Sequence, residues 1–468
     1  MKAKNNSEKL GTEAIIPLLM KLSIPAIVAM AIQALYNVVD SIYIGRYSTD
    51  ALSALSLVFP IQIVLIAIAV GTGIGTSSYI SRQLGRKNRE NAANAAEHVL
   101  ILTLIYGLVV GVAGYFISDK LLSILTNDPV LIELGTEYVR IILIGSLALF
   151  LPMIGKNILL GQGNTVLPMI TMLIGAFINI ALDPFLIFGI GPFPEMGVRG
   201  AAIATVFAQT LSGIFLLIIL FSKKNEVQIN FKNFKLDYSV VKQIYVVGLP
   251  AMAMQVLGSV TITGLNWVLG SYSATAVAAG GIYFRLQSFV FMPVFGLNQG
   301  YMPIMGYNFG HNKAKRMKEI FKSTTMVALC FTTAGFLLFQ FFPEQLAVLF
   351  TNDQELIEIT VIALRRISLA FPIIGPAIII ATTFQAIGKG MPSLILSTAR
   401  QFLVLMPAVF YLSHHFGLDI LWFAFPLSEA FSFVLGAIWL YFVLQKVFVK
   451  MEKKEEKKKL KVKHSPVK

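Results

Sequence analysis

Apolar runs of 18 or more residues recur along nearly the whole chain, separated by Gly, Pro and short polar clusters. As a helix rising about 1.5 Å per residue, a run of that length crosses the roughly 30 Å hydrocarbon core of a bilayer. Within lipid, only helices and closed barrels satisfy their own backbone groups. Barrel strands would show short segments of alternating polarity, and these runs do not alternate. The chain therefore reads as an all-α membrane protein. Of its 468 residues 56% are hydrophobic and 13% charged, against about 25% charged in soluble domains. Twelve spans are expected, at 15–45, 52–80, 92–116, 131–159, 164–190, 199–222, 238–270, 275–307, 316–342, 355–386, 392–415 and 419–446.

The net charge of +14 sits in loops and the tail, which makes it a topology signal rather than a nucleic-acid footprint. Basic clusters are Lys2, Lys4 and Lys9; Arg82, Arg86, Lys87 and Arg89; Lys223, Lys224, Lys232, Lys235 and Lys242; Lys313, Lys315, Arg316 and Lys318; and the C-terminal tail. With twelve spans all of them fall on one side. The opposite loops hold few, namely Arg46, Lys120 and Arg199. Both termini are therefore expected in the cytoplasm. The N-terminus lacks the pattern of a cleaved signal peptide. The single cysteine, Cys330, lies in an apolar run and is expected to be a buried, inert thiol.

The chain repeats itself. LTNDPVLIELGTEYVRIIL at 125–143 matches FTNDQELIEITVIALRRIS at 350–368, an offset of 225 residues from Thr126 to Thr351. The pairs Pro25 and Pro250, Gly45 and Gly270, Gln62 and Gln287, Gly75 and Gly300, Gly85 and Gly310, and Gly163 and Gly388 keep that offset. Six spans are thus followed by six related ones. An even number in each copy keeps both in the same orientation, about an axis along the membrane normal. The expected division is a first lobe at 1–221, a cytoplasmic linker at 222–239, a second lobe at 240–447 and a basic cytoplasmic tail at 448–468. Pro25 and Pro250 mark plausible bends in matching helices.

The two copies differ in their intramembrane acids. Asp40 aligns with Leu265, Asp183 with Ala408, and Asn179 with Val404. An isolated charge at the centre of a spanning helix costs about 2.5–3.5 kcal/mol even on insertion scales, so a chain that keeps one usually has a use for it. Acids needed by the fold alone should recur in the second copy. Asn179 and Asp183 are four residues apart and share a helix face, as do Tyr36 and Asp40. Asp40, Asp183 and Thr205 all fall at similar depth near the external ends of their spans. Two carboxylates, an amide and a hydroxyl form an all-oxygen set suited to a hard cation, and equally to a proton shared between two acids. In the second copy Arg285 and Glu429 lie inside spans and are expected to pair across helices. His414 and His415 resemble no metal set. No phosphate-binding loop appears, and the glycines of GTGIG at 71–75 and of GQGN read as packing or turn glycines.

Taken together, LSIPA, YNVVDSIYIG, the QGN after the fourth span, NIALDPFLIFG and GVRGAAIAT resemble the multidrug and toxic compound extrusion (MATE) transporters over residues 10–447. The chain is similar to the DinF-type branch of that family. The resemblance implies a secondary active exporter of cationic or amphipathic compounds. It would work by H⁺ or Na⁺ antiport, with two six-helix lobes rocking against each other. It places the coupling site at Asp40, Asn179, Asp183 and Thr205, with Tyr36 beside them, and a possible Na⁺ on those same oxygens. The substrate cavity is expected at Gln33, Asn157, Met30 and Phe177, although Met and aromatic residues by default face core or lipid. The branch with acids in its seventh and tenth helices is disfavoured, since those helices offer Gln255, Phe371 and Pro372 here. The expected partners are a drug or toxic organic cation and membrane lipid, with no nucleic acid. A monomer in the cell membrane, without enzymatic activity or a resident cofactor, is expected. The alternative is a lipid-linked oligosaccharide flippase of the same superfamily, whose pyrophosphate cargo would call for several basic residues along the cavity.

Overall fold

A computed structural model describes residues 6–223 and 225–463. Lys2, Lys4, Lys224 and the last five residues lie outside the described residues. The spanning helices are α1 (Ile15–Tyr47), α2 (Thr49–Gly85) and α3 (Arg89–Leu125), then α4 in two pieces (Pro129–Ile144 and Ser146–Gly161), α5 (Val166–Phe188) and α6 (Gly197–Leu220). The second set is α7 (Tyr238–Gly270), α8 (Ala274–Gly310) and α9 (Ala314–Phe341), α10 in two pieces (Gln354–Ser368 and Phe371–Ala386), and α11 (Gly390–Leu421). The last is α12 (Ala424–Lys463). Among the described residues there is no strand.

The sequence places α4 and α10 as one span each, at 131–159 and 355–386, and both are bent. They bend by 52° and 53° at equivalent points of the repeat. The break in α4 falls at Gly145, and α10 restarts at Phe371 with Pro372 in its first turn. A proline there lacks only an N–H that no helical carbonyl would have received. The expected bend at Pro25 is absent as a break, since α1 and α7 both run on through Pro25 and Pro250.

The repeated TND motif turns out to be a helix cap. Asp128 accepts from the N–H groups of Val130 and Leu131, and Asp353 from that of Leu356. Thr126 and Thr351 each accept from the N–H of the capping aspartate, at 3.2 and 3.1 Å. The QGN and IGK glycines follow the same logic. Gly163 (φ +76°) and Gly388 (φ +81°) take the left-handed conformation just after α4 and α10, where a side chain would be strained.

Helices α1–α6 pack into one lobe and α7–α12 into another. The lobes meet mainly through α2 on α7, α1 on α8, and α2 on α8. Small residues make this possible. A Cβ on Gly71 would overlap Met252, and its repeat mate Gly296 would overlap Ile27, the mate of Met252. Likewise a Cβ on Gly85 would strike the Tyr307 carbonyl, and one on Gly310 the Arg82 carbonyl. These contacts form two symmetry-related pairs about one axis, all toward the end of the molecule where α1 and α7 begin. The linker is tied to that end. The Asn230 N–H donates to Glu97 Oε1 and the Asp237 N–H to His98 Nε2, each at 2.8 Å.

Two further expectations are corrected. Cys330 is exposed. The buried face of α9 runs through Ile320, Thr324, Ala328, Thr332 and Gly335, and Cys330 lies off it, in a run apolar enough to face lipid. Arg285 is also exposed, and Glu429 pairs instead with Arg400 of α11. Gln287, two residues on from Arg285, points to the other side of α8 and borders the cavity beside Glu429.

Candidate functional site

Three helix ends converge to build the polar cluster of the first lobe. Asp40 lies about two turns before the end of α1, Asp183 a similar distance before the end of α5, and Thr205 about two turns into α6. The ends are pinned by packing. Phe188 of α5 lies 6.4 Å, ring to ring, from both Tyr43 and Tyr47 of α1. Gly200 lets α6 close on α5, since a Cβ there would run into the Leu186 carbonyl. Gly197, at φ +53°, sits against the Tyr47 ring. The GVRGAAIAT motif thus acts through glycines that bring Thr205 to the face of α5.

On that face Asn179 Nδ2 donates to Asp183 Oδ1 at 3.2 Å and to Thr205 Oγ1 at 3.4 Å. The Tyr36 side chain lies beside Thr205 and within electrostatic reach of both carboxylates. Asp183 is 0% exposed, Asn179 2% and Thr205 8%, while Asp40 is half-buried. Asp40 Oδ1, Asp183 Oδ2 and Asn179 Oδ1 are buried with no hydrogen-bond partner. Unsatisfied buried acceptors are rare in folded proteins, and each is unfavourable by about 1–3 kcal/mol or more if charged. Three of them in one cluster, with no cationic side chain paired to them among the described residues, suit a small cation or a proton. Oxygen donors alone favour a hard ion over the softer metals that imidazole or thiolate would hold.

All five residues of the expected coupling set therefore come together. The expected cavity residues divide. Gln33 and Met30 lie on α1 and are half-buried. Asn157 of α4 lies over Gly73 of α2, where a Cβ would overlap its amide, and donates to the Met153 carbonyl at 2.8 Å. Phe177 is 75% exposed, on the side of α5 turned away from Asn179 and Asp183, so it does not join them. Tyr138 and Gln62 are additions that the sequence reading missed. Tyr138 is 4% exposed, accepts from Gln62 Nε2 at 3.2 Å, and feels the charges of Asp40 and Asp183. The signal for Gln62 was its repeat partner Gln287. Tyr138 carried none beyond its helix. Lys156, next to Asn157, was also passed over; its Nζ reaches the Met172 thioether at 3.7 Å.

The MatE family model matches residues 25–185 and again 250–410, two blocks set apart by the offset of the internal repeat. The chain belongs to the MatE family. Among the similar proteins is the multidrug export protein MepA of Staphylococcus haemolyticus, 30% identical over 415 residues, which are 86% of this chain and 88% of the relative. A protein of Shewanella oneidensis named as an FAD transporter is 29% identical over 433 residues, covering 92% of this chain and 94% of its own length. A crystal structure of a MATE protein in the bent conformation superposes with a TM-score of 0.91 at 27% identity, covering 96% of this chain and 100% of that one. The two-lobed, twelve-helix MATE architecture is thus shared over nearly the whole length.

Proposed function

We propose that this MATE protein is a cation-coupled exporter of drug-like compounds, with the coupling ion held in the N-terminal lobe. The observation that carries the reading is the trio of unpartnered buried oxygens at Asp40, Asp183 and Asn179. A proton or Na⁺ bound there would neutralise the acids and supply the missing partner. Binding in one state of the lobes and release in the other makes the inward ion gradient drive outward cargo. Asp40 and Asp183 bind the ion, Asn179 and Thr205 orient Asp183 and Tyr36, and Gln33, Met30 and Asn157 border the cargo path.

The name of the S. haemolyticus relative supports a drug cargo, and the acidic cluster supports a cationic one. An anionic dinucleotide or a lipid-linked pyrophosphate would need free cations along the path. Of the intramembrane cations, Arg400 is already paired with Glu429 and Arg285 is exposed, and Lys156 beside Asn157 is a single cation where a pyrophosphate calls for several. Both readings therefore rank below the first. The basic clusters support cytoplasmic termini in the cell membrane, and the close glycine contacts at that end suit a state open on the Asp40 side.

The test is ethidium efflux from cells expressing the protein. Export that stops when the ion gradients are collapsed is expected. Export that continues under ionophores, or none above empty-vector cells, would contradict the reading.

A further inference from the structure

The C-terminal lobe holds a second polar centre that the coupling site does not use. Arg400 Nη1 of α11 pairs with Glu429 Oε1 of α12. Glu429 is 6% exposed although it lies within a spanning helix. Arg400 sits in a stretch of α11, Ala399–Leu405, wound as a π-helix. Such segments re-aim side chains and often occur at functional sites. The next residue, Gln401, is held on both sides. It accepts from the Thr261 hydroxyl and donates to Ser397 Oγ at 2.8 Å.

Two cavities adjoin the pair. One, of about 160 Å³, lies toward Thr261, Tyr283 and Phe425. The other, of about 310 Å³, lies toward Met254, Phe295 and Ser393. Arg400, Glu429, Gln287 and Ile374 border both, so the ion pair forms part of the partition between them. Tyr283 lines the smaller chamber, fully buried, with its hydroxyl lacking any hydrogen-bond partner. A buried phenol without a partner is an unmet donor in a site that already holds one positive and one negative group.

Resting on the export reading above for how cargo arrives, we propose that the Arg400–Glu429 partition is a cargo subsite selective for zwitterions. The charge balance is what decides the ligand class. A cation that took Glu429 would leave the half-buried Arg400 without its partner, and an anion that took Arg400 would strand the buried Glu429; either orphan is unfavourable, the second more so. A ligand with both a carboxylate and a cationic group compensates each partner as it parts them. Its carboxylate meets the fork of Arg400, a planar match, and its cationic end meets Glu429. Parting the pair also joins the chambers into a space within the roughly 300–1,000 Å³ range of small-molecule sites. Tyr283 and Gln287 then stand ready to hydrogen-bond the ligand, and Phe425 and Phe295 offer it apolar walls.

The probes are rhodamine B, a zwitterion at neutral pH, and its ethyl ester, a cation of nearly the same shape. Binding is read by fluorescence polarisation with the full-length protein in lipid nanodiscs, against empty nanodiscs. Rhodamine B is expected to bind about tenfold tighter than the ester, a difference of about 1.4 kcal/mol. In R400Q/E429Q, which removes both charges without orphaning either, the preference falls to about one. In the charge-swapped R400E/E429R, which keeps a pair, it is retained. Y283F weakens rhodamine B a few-fold. Equal binding of the two dyes to the wild type, or a preference that survives in R400Q/E429Q, would overturn the proposal. The measurement uses no gradient, so a failure of cation coupling in the first lobe leaves this result readable by itself.

Discussion

The Thr205 hydroxyl accepts from the Asn179 amide at 3.4 Å and lies beside the Tyr36 phenol. Removing it as Thr205→Ala frees Asn179 to swing and leaves a buried donor unmet. The expected effect is a loss of about 1–2 kcal/mol in ion binding, read as a roughly tenfold higher ion concentration for half-maximal efflux. Asn179→Ala acts more strongly, because it also strips Asp183 of its 3.2 Å partner. An unchanged ion dependence in both variants would remove these residues from the site. The Arg400–Glu429 pair gives a residue-scale prediction of the opposite kind. E429Q alone leaves the half-buried Arg400 guanidinium without its partner and should lower the thermal unfolding temperature by a few degrees, more than R400Q/E429Q does. The acids of the N-terminal lobe were legible because lipid makes an unused charge expensive and the second copy lacks them. Arg400 was not legible as the partner of Glu429. Arg285 and Arg400 both lie inside spans, and the rotation of each helix about its axis, fixed by packing and by the π-helical stretch, decides which of them turns inward.

At the scale of helices, the glycines of α6 set how closely Thr205 approaches Asn179. Gly200→Val places side-chain atoms where the Leu186 backbone now lies, so α6 must move away from α5. Efflux is expected to fall by more than tenfold while the protein still inserts; a fully active Gly200→Val would show that the α5–α6 contact does not position the site. The TND caps provide the contrast. Asp128→Ala removes one helix cap, worth about 1 kcal/mol, and should lower stability with little effect on ion dependence. The TND motif, repeated in both copies, belongs to the scaffold, and the acids, absent from the second copy, belong to the site. Most span boundaries were legible to within a few residues because bilayers impose helix length. By contrast, α3 runs on to Leu125 past the expected 116, α11 to Leu421 past 415, and α12 to Lys463 past 446, where the chain leaves the apolar run without a helix stop. The bends of 52° and 53° were not, since Gly145 and Pro372 permit a break without requiring one.

For the molecule as a whole, the two lobes are held together at one end by symmetry-related glycine contacts. Gly75 is part of that seam, where a Cβ would overlap the Ile244 carbonyl. Gly75→Val should pry the lobes apart at this end and shift the protein toward the state open there. Pulsed EPR distances between spin labels at the ends of α2 and α8 would lengthen, and unchanged distances would contradict the rocking model. Exposed Cys330 must first be replaced so that it does not take up label. The measurement that bears most directly on the account is ethidium efflux from loaded proteoliposomes, with Na⁺ and H⁺ gradients imposed one at a time, for the wild type and for D40N/D183N. Wild-type efflux driven by an inward cation gradient is expected, and none in the double variant under either gradient. Full gradient-driven efflux with Asn at both positions would contradict coupling through the N-terminal lobe.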